Sequence, residues 1–247
     1  MSGHSHWATI KHKKAATDAK KGKLFSKLAK DIIMAAQQGG GDPDANFTLR
    51  SAIDAAKAAN VPKDNIERAI KRGTGELPGV TYERLTYEGY GPHGIAILVE
   101  VLTDSRNRTA AELRKIFSQR GGKMEGSVAW MFEARGLLTV PADAIGEDEL
   151  MELVLDAGAD DMVRSDGTYE ITTSPAQFSK VKQALLDKGL TPGVAELTRL
   201  PQTLVRLEGD AAQKALNLLE ELEDHDDVQN VYTNLDVPPE LADAKGQ

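Results

Sequence analysis

The stretch GLLTVPADAIGEDELMELVLDAGADDMVRSDGTYEITTSPAQFSKVKQALLDKGLTPGVAELTRLP, residues 136–201, decides the fold class. Short runs of strand-forming residues at 137–140, 161–164, 168–173 and 195–200 alternate with helical periodicity at 147–157 and 175–188. The order β-α-β-β-α-β is one complete ferredoxin-like unit. Upstream, 82–87 and 95–103 are strand candidates separated by a glycine loop, 88–94. Asp104 then caps a helix over 107–120, Gly121 and Gly122 end it, and 127–132 is the next strand. Downstream, 204–207, 211–223 and 228–233 again read β-α-β. Two half-units flanking a complete one predict that the last segment folds back to finish a middle domain. Alone, each half would leave exposed sheet edges and little core.

Residues 11–72 have helical periodicity. Phe25, Leu28, Ile32 and Ala36 recur at three- and four-residue steps, which marks an amphipathic helix over 24–36, with Gly22 as a possible break upstream. Gly39-Gly40-Gly41 ends it, and Asp42-Pro43 reads as the N-cap and first turn of a second helix bearing Leu49, Ile53 and Ala56 inward. Pro62 separates a third helix, with Ile66, Ala69 and Ile70 inward and Gly73 closing it. The expected fold class is therefore α+β. An N-terminal helical domain (1–75) precedes two ferredoxin-like α+β domains, a middle one (76–134 plus 203–238) and a last one (135–202) inserted into it.

The chain has no cysteine, which removes disulfides, thiol nucleophiles and cysteine-bound metals and fits a reducing compartment. The N-terminus reaches lysines before any apolar run, and no segment has the length of a membrane span, so a cytoplasmic protein without membrane association is expected. The net charge of −8 is segregated: residues 1–140 hold 22 Lys+Arg against 15 Asp+Glu, and residues 141–247 hold 8 against 23. An acidic half repels phosphate backbones, so a nucleic acid would be met by the N-terminal part.

There, Lys11, Lys13, Lys14, Lys20, Lys23, Lys27 and Lys30 stand beside His4, His6 and Trp7, and the nearest acid is Asp18. Spacings of seven keep Lys13, Lys20 and Lys27, and Lys23 and Lys30, in one stripe of a helix. The plainest reading is a solvated helix face; the scarcity of local acids favours phosphate contacts, each adding about one unit to the salt dependence of binding. Trp7 has two readings, stacking on an unpaired base or packing on the helices. Arg106 and Arg108 lie at a strand-to-helix turn suited to anions, or pair with Asp104, Glu112 or the acidic half. Tyr87 and Tyr90 read as ordinary packing beside the glycine loop. That loop lacks the Gly-Lys-Ser/Thr ending of a P-loop, and no nucleophile elbow is present, so no enzyme is expected. Neither His4, His6 and His12 nor the acidic run 223–227 has metal-ligand spacing, so no metal or cofactor is expected.

Several motifs point to a family. Gly3-His4-Ser5-His6-Trp7, the run 39–43, the run 61–73 (VPKDNIERAIKRG), Tyr87-Glu88-Gly89-Tyr90-Gly91-Pro92 and the run 103–109 (TDSRNRT) resemble the signatures of the YebC family of regulatory proteins. They cover roughly residues 3–132. His6, where that family leads one to expect lysine, His93, where it leads one to expect glycine, and a shortened turn before Ser127 are departures. The resemblance implies a helical domain followed by two α+β domains, the last inserted. It also implies one of two partners for a regulator of gene expression: promoter DNA in transcription, or ribosomal RNA and the ribosome, as for a mitochondrial translational activator and for bacterial members linked to ribosomes stalled on proline-rich sequences. The oligomeric state is open at this level.

Overall fold

The computed structural model describes residues 18–165 and 167–238, with side chains from Lys21 onward. Three helices come first: α1 (Asp18–Gly39), α2 (Phe47–Ala58) and α3 (Lys63–Gly73). Gly22 lies inside α1 and does not break it; a Cβ there would meet nothing within 4 Å. Ile32, Ala36, Leu49, Ile53, Ala56, Ile66 and Ala69 form the core of this unit, as their spacing predicts. The start of α2 is a correction. Asp42 does not cap it; its carboxylate accepts from Asp44 N in a local turn, and Asn46 is the N-cap. Asn46 Oδ1 accepts from Leu49 N at 3.1 Å, while its Nδ2 donates to Ala35 O at 2.8 Å and Gly40 O at 2.9 Å. One buried amide thus caps α2 and closes the loose end of α1.

The first sheet has the order β1-β2-β8, all antiparallel, from β1 (Glu83–Tyr90), β2 (Ala96–Thr103) and β8 (Val228–Thr233). The left-handed region is occupied between β1 and β2 by His93, with φ of 59°. On one sheet face Ile97, Val99 and Val101 pack against α4 (Arg106–Gln119) and α7 (Gly209–Glu223) through Leu113, Phe117, Ala215 and Leu219. On the other, Ala96 and Leu98 meet Val128 and Phe132. This central strand is covered on both faces and therefore reads as a continuous apolar run.

The second sheet has the order β4-β5-β3-β6, again antiparallel throughout, from β3 (Phe132–Pro141), β4 (Asp161–Ser165), β5 (Thr168–Thr173) and β6 (Ala195–Pro201). With α5 (Glu147–Asp156) and α6 (Phe178–Asp187) on one face, it is the ferredoxin-like arrangement expected from 136–201. The fold is α+β, and β8 brings the chain back to the first sheet after the second is complete. Arg199 on β6 donates to Glu100 on β2 at 3.1 Å, and Tyr232 donates to the same carboxylate at 3.2 Å, so the two sheets meet at an ion pair. Burial, reinforced by the Glu100 charge, raises the Tyr232 pKa above its ordinary value.

Two further differences from expectation concern short pieces. The expected strand 127–132 is instead a 3₁₀ turn, Ala129–Met131, and Phe132 opens β3, within the stretch expected to finish the middle domain. Its apolar residues are used to cross from one sheet to the next, and the Glu88 carboxylate holds the turn by accepting from Val128 N at 2.5 Å and Ala129 N at 2.8 Å. A short parallel pair, β7 (Val205–Arg206) with β9 (Leu235–Asp236), completes the described sheets.

Candidate nucleic-acid interface

Lys23, Lys27 and Lys30 occupy one stripe of α1 at steps of four and three residues. The stripe faces the C-terminal end of α7. Lys23 Nζ donates to Asp224 O at 3.0 Å, Lys27 Nζ to Glu223 O at 2.8 Å, and Lys30 Nζ to Asp226 O at 2.9 Å and Asp227 Oδ1 at 2.8 Å. Carbonyls at a helix C-terminus lack intrahelical donors and carry the negative end of the dipole, so ammonium groups satisfy them. The lysines therefore act as caps supplied from another helix.

Asp227 is buried beneath Lys30. Its Oδ2 accepts from Arg108 Nη2 at 2.7 Å and Thr109 Oγ1 at 2.8 Å. The Thr109 proton goes to the carboxylate, which can only accept, so the Thr103 hydroxyl donates to Thr109 at 2.8 Å and accepts from Ser105 N. Burial pushes the Asp227 carboxyl up, but the hydrogen bonds from Lys30, Arg108 and Thr109 outweigh it and hold the group well below the usual carboxylate range. The hydrogen bond to Asp227, with its charge, raises the Arg108 pKa. Asp227 N donates to His225 Nδ1 at 3.1 Å, which leaves the proton on Nε2, 2.9 Å from Glu112 Oε2.

Glu112, His225 and Asp227 lie close enough to suggest a metal, their ligand atoms all within 4.8 Å. They do not fit one. Both Asp227 oxygens already accept hydrogen bonds, and two come from the cations Lys30 and Arg108, which a metal ion would face at contact distance.

Every expected site residue whose side chain is described is thus engaged by an oxygen of the protein itself, although Lys23, Arg106 and Arg108 stay exposed at the surface. Arg106 lies 3.6 Å from Glu83, and Arg108 pairs with Asp104 and Asp227, the salt-bridged alternative anticipated for it. His4, His6, Trp7, Lys11, Lys13 and Lys14 lie outside the described residues, as does the Lys20 side chain.

Other cations of the helical unit are exposed. Lys57 on α2 and Arg68, Lys71 and Arg72 on α3 make no ion pair with a carboxylate among the described residues. Arg68 and Arg72, one turn apart, line with Asn65 a groove of about 200 Å³ floored by Phe25, Ala29 and Ile33. The signal for them was in the sequence: once Ile66 and Ala69 point inward, 68, 71 and 72 must point outward. The lysines of 11–30 are the denser cationic run in the sequence, but they are not the ones left without carboxylates among the described residues. A second, larger cleft of about 1080 Å³ lies between α1 and α4 beside the end of α7, with Ser26 and Lys30 on one wall and Lys115 and Gln119 on the other. On the far side of the first sheet, Trp130 is 68% exposed.

A cationic three-helix unit joined to the first of two antiparallel sheets by lysines, a buried aspartate and the Asp31–Arg84 ion pair defines the class of protein. Residues 5–76 match the model of the TACO1/YebC protein N-terminal domain, and residues 82–235 match that of the TACO1/YebC second and third domain. The chain belongs to the TACO1/YebC family. It is 56% identical over 244 residues to a "Probable transcriptional regulatory protein" of Dictyoglomus turgidum, covering 98% of each chain. It is 55% identical over 246 residues to a protein of the same description from Syntrophobacter fumaroxidans, covering 98% of this chain and 99% of that one. The crystal structure of a conserved hypothetical protein from Aquifex aeolicus, 45% identical, superposes with a TM-score of 0.81 over 95% of this chain and 98% of that one. No helix among the described residues is long and apolar enough to cross a membrane.

Proposed function

We propose that this protein is a non-enzymatic, nucleic-acid-binding regulator of gene expression that works in the cytoplasm by contacting promoter DNA. The observation that carries this reading is the set of exposed cations on the helical unit, Lys57, Arg68, Lys71 and Arg72, without carboxylate partners among the described residues of a chain that is otherwise acidic. The sequence leading into α1, 11–20, is itself lysine-rich. Cations left unpaired in a molecule with acids to spare keep their attraction for phosphate, and their counterions are released on binding. The description borne by the relatives from Dictyoglomus and Syntrophobacter agrees with a regulator. The test is binding of labelled promoter duplex by wild type and by Arg68→Glu/Arg72→Glu across a salt series. The double variant should bind at least tenfold more weakly with a slope shallower by about two; unchanged affinity and slope would remove the interface.

A second reading, a translation factor bound to ribosomal RNA, is favoured by the charge segregation. RNA supplies the same phosphates, while the acidic half, 8 Lys+Arg against 23 Asp+Glu over 141–247, suits basic ribosomal proteins. Co-sedimentation with ribosomes that survives moderate salt, without a footprint on promoter DNA, selects this partner.

A further inference from the structure

The oxygens that face the lysine stripe, carbonyl dipoles and two carboxylates, occupy the ammonium groups as the oxygens of a phosphate backbone would. Lys23, Lys27 and Lys30 spread over about 10 Å of helix axis, at about 1.5 Å per residue. Over that length of duplex axis one strand rises past about three phosphates, at about 3.4 Å of axial rise each. Here the stripe is met by three carbonyls, of Glu223, Asp224 and Asp226, with the Asp224 and Asp227 carboxylates among them.

The joint is polar. The core of the helical unit and the core built on the first sheet share no residue, and beside the lysines the two are tied by Arg84 of β1, which donates to Asp31 of α1 at 3.2 Å. The outer contacts are wet: Lys23 and Asp224 side chains are 44% and 52% exposed, the regime in which an ion pair contributes about 0–1 kcal/mol and is screened by salt. The inner contact, Lys30 with Asp227, is 15% and 7% exposed and holds the register. The cleft between α1 and α4 already admits solvent along one side of the joint.

We infer that the 223–227 corner is an internal phosphate mimic that covers a second polyanion-binding surface, Lys23, Lys27 and Lys30, and that nucleic acid displaces it. The inference rests on the nucleic-acid reading above and adds regulation to it. The exposed α3 cations make the first contact, and the stripe joins only in a molecule whose helical unit has parted from α7. A closed molecule is held at low affinity for phosphate, and a polyanion long enough to reach both surfaces selects the open one.

The chain has no cysteine, so a pair introduced on opposite walls of the cleft, Ser26→Cys and Gln119→Cys, can carry two dyes or one short bismaleimide bridge without disturbing the joint. Energy transfer between the dyes should fall when a short labelled DNA duplex or RNA strand is added. The bridged protein should bind about tenfold more weakly than the unbridged one, with a salt slope shallower by about three, one per lysine withheld. Asp227→Asn, which removes the carboxylate shared by Lys30 and Arg108, should bind several-fold more tightly; if it fails to fold, Asp224→Asn, which removes the carboxylate partner of Lys23, should shift affinity in the same direction. Equal affinity and slope for bridged and unbridged protein, with energy transfer unmoved by nucleic acid, would overturn the mimic and leave the nucleic-acid reading intact. Absence of binding in wild type and in the opened variants would overturn both.

Discussion

Asn46 shows how much one side chain can carry. It accepts from Leu49 N and donates to two carbonyls, Ala35 O and Gly40 O, in a position 7% exposed. Asn46→Asp keeps the acceptor and loses both donors, leaving two carbonyls facing a carboxylate. Urea unfolding should show a loss of about 2 kcal/mol; a loss within error would mean that water replaces the amide. Asp227 gives a pH dependence. Its pKa is lower folded than unfolded, so the stability it contributes is complete above the ordinary value of 3.8 and drains away as pH falls below it. Thermal unfolding of Asp227→Asn should show a deficit at neutral pH that narrows steadily on acidification, and a constant deficit would assign it to shape instead of charge. Neither side chain's role was legible in the sequence. Asp42 was the better candidate for a cap by local pattern, and Asp227 was one acid among several, because partners from residues 35, 30 and 108 are set by tertiary approach.

At the scale of elements, the crossing of α1 and α3 depends on Gly73. A Cβ there would lie 2.6 Å from Ile33 O and 2.6 Å from Ala36 Cβ. Glycine to alanine in a helix ordinarily gains up to about 1 kcal/mol. Here the backbone carbonyl of α1 reverses the sign, and Gly73→Ala should destabilise by about 1–3 kcal/mol in denaturant unfolding; a stabilised variant would show that the two helices can part freely. Periodicity identified these helices because their inward faces are wide, and β4, β5 and β6 were legible because each is a short stretch holding strand-forming residues between turns. It failed at 127–132, where Val128 and Phe132 are buried but the chain is turning between sheets. An apolar pair marks burial; it does not say whether the backbone is extended.

For the whole molecule, the distribution of charge matters more than its total of −8. Substituting α3 cations should weaken binding to all nucleic-acid sequences alike, since phosphate contacts carry no base information. Lys71→Gln assayed on two unrelated duplexes should lower affinity by the same factor on both; a sequence-dependent change would mean that Lys71 reads a base edge. The α+β class, the ferredoxin-like unit of 136–201, the helical N-terminal unit and the imbalance between a basic and an acidic half were determined by the sequence itself, since period, turn residues and charge counts are local properties. Which cations remain available to a partner was decided only by the tertiary structure. Lys23, Lys27 and Lys30 read as a free stripe until α7 is brought against them from 196 to 201 residues away along the chain, whereas Arg68 and Arg72 read as ordinary helix surface until they are seen to lack such a neighbour among the described residues. Charge on a residue is local, but its neutralisation depends on what the fold carries to within hydrogen-bond reach.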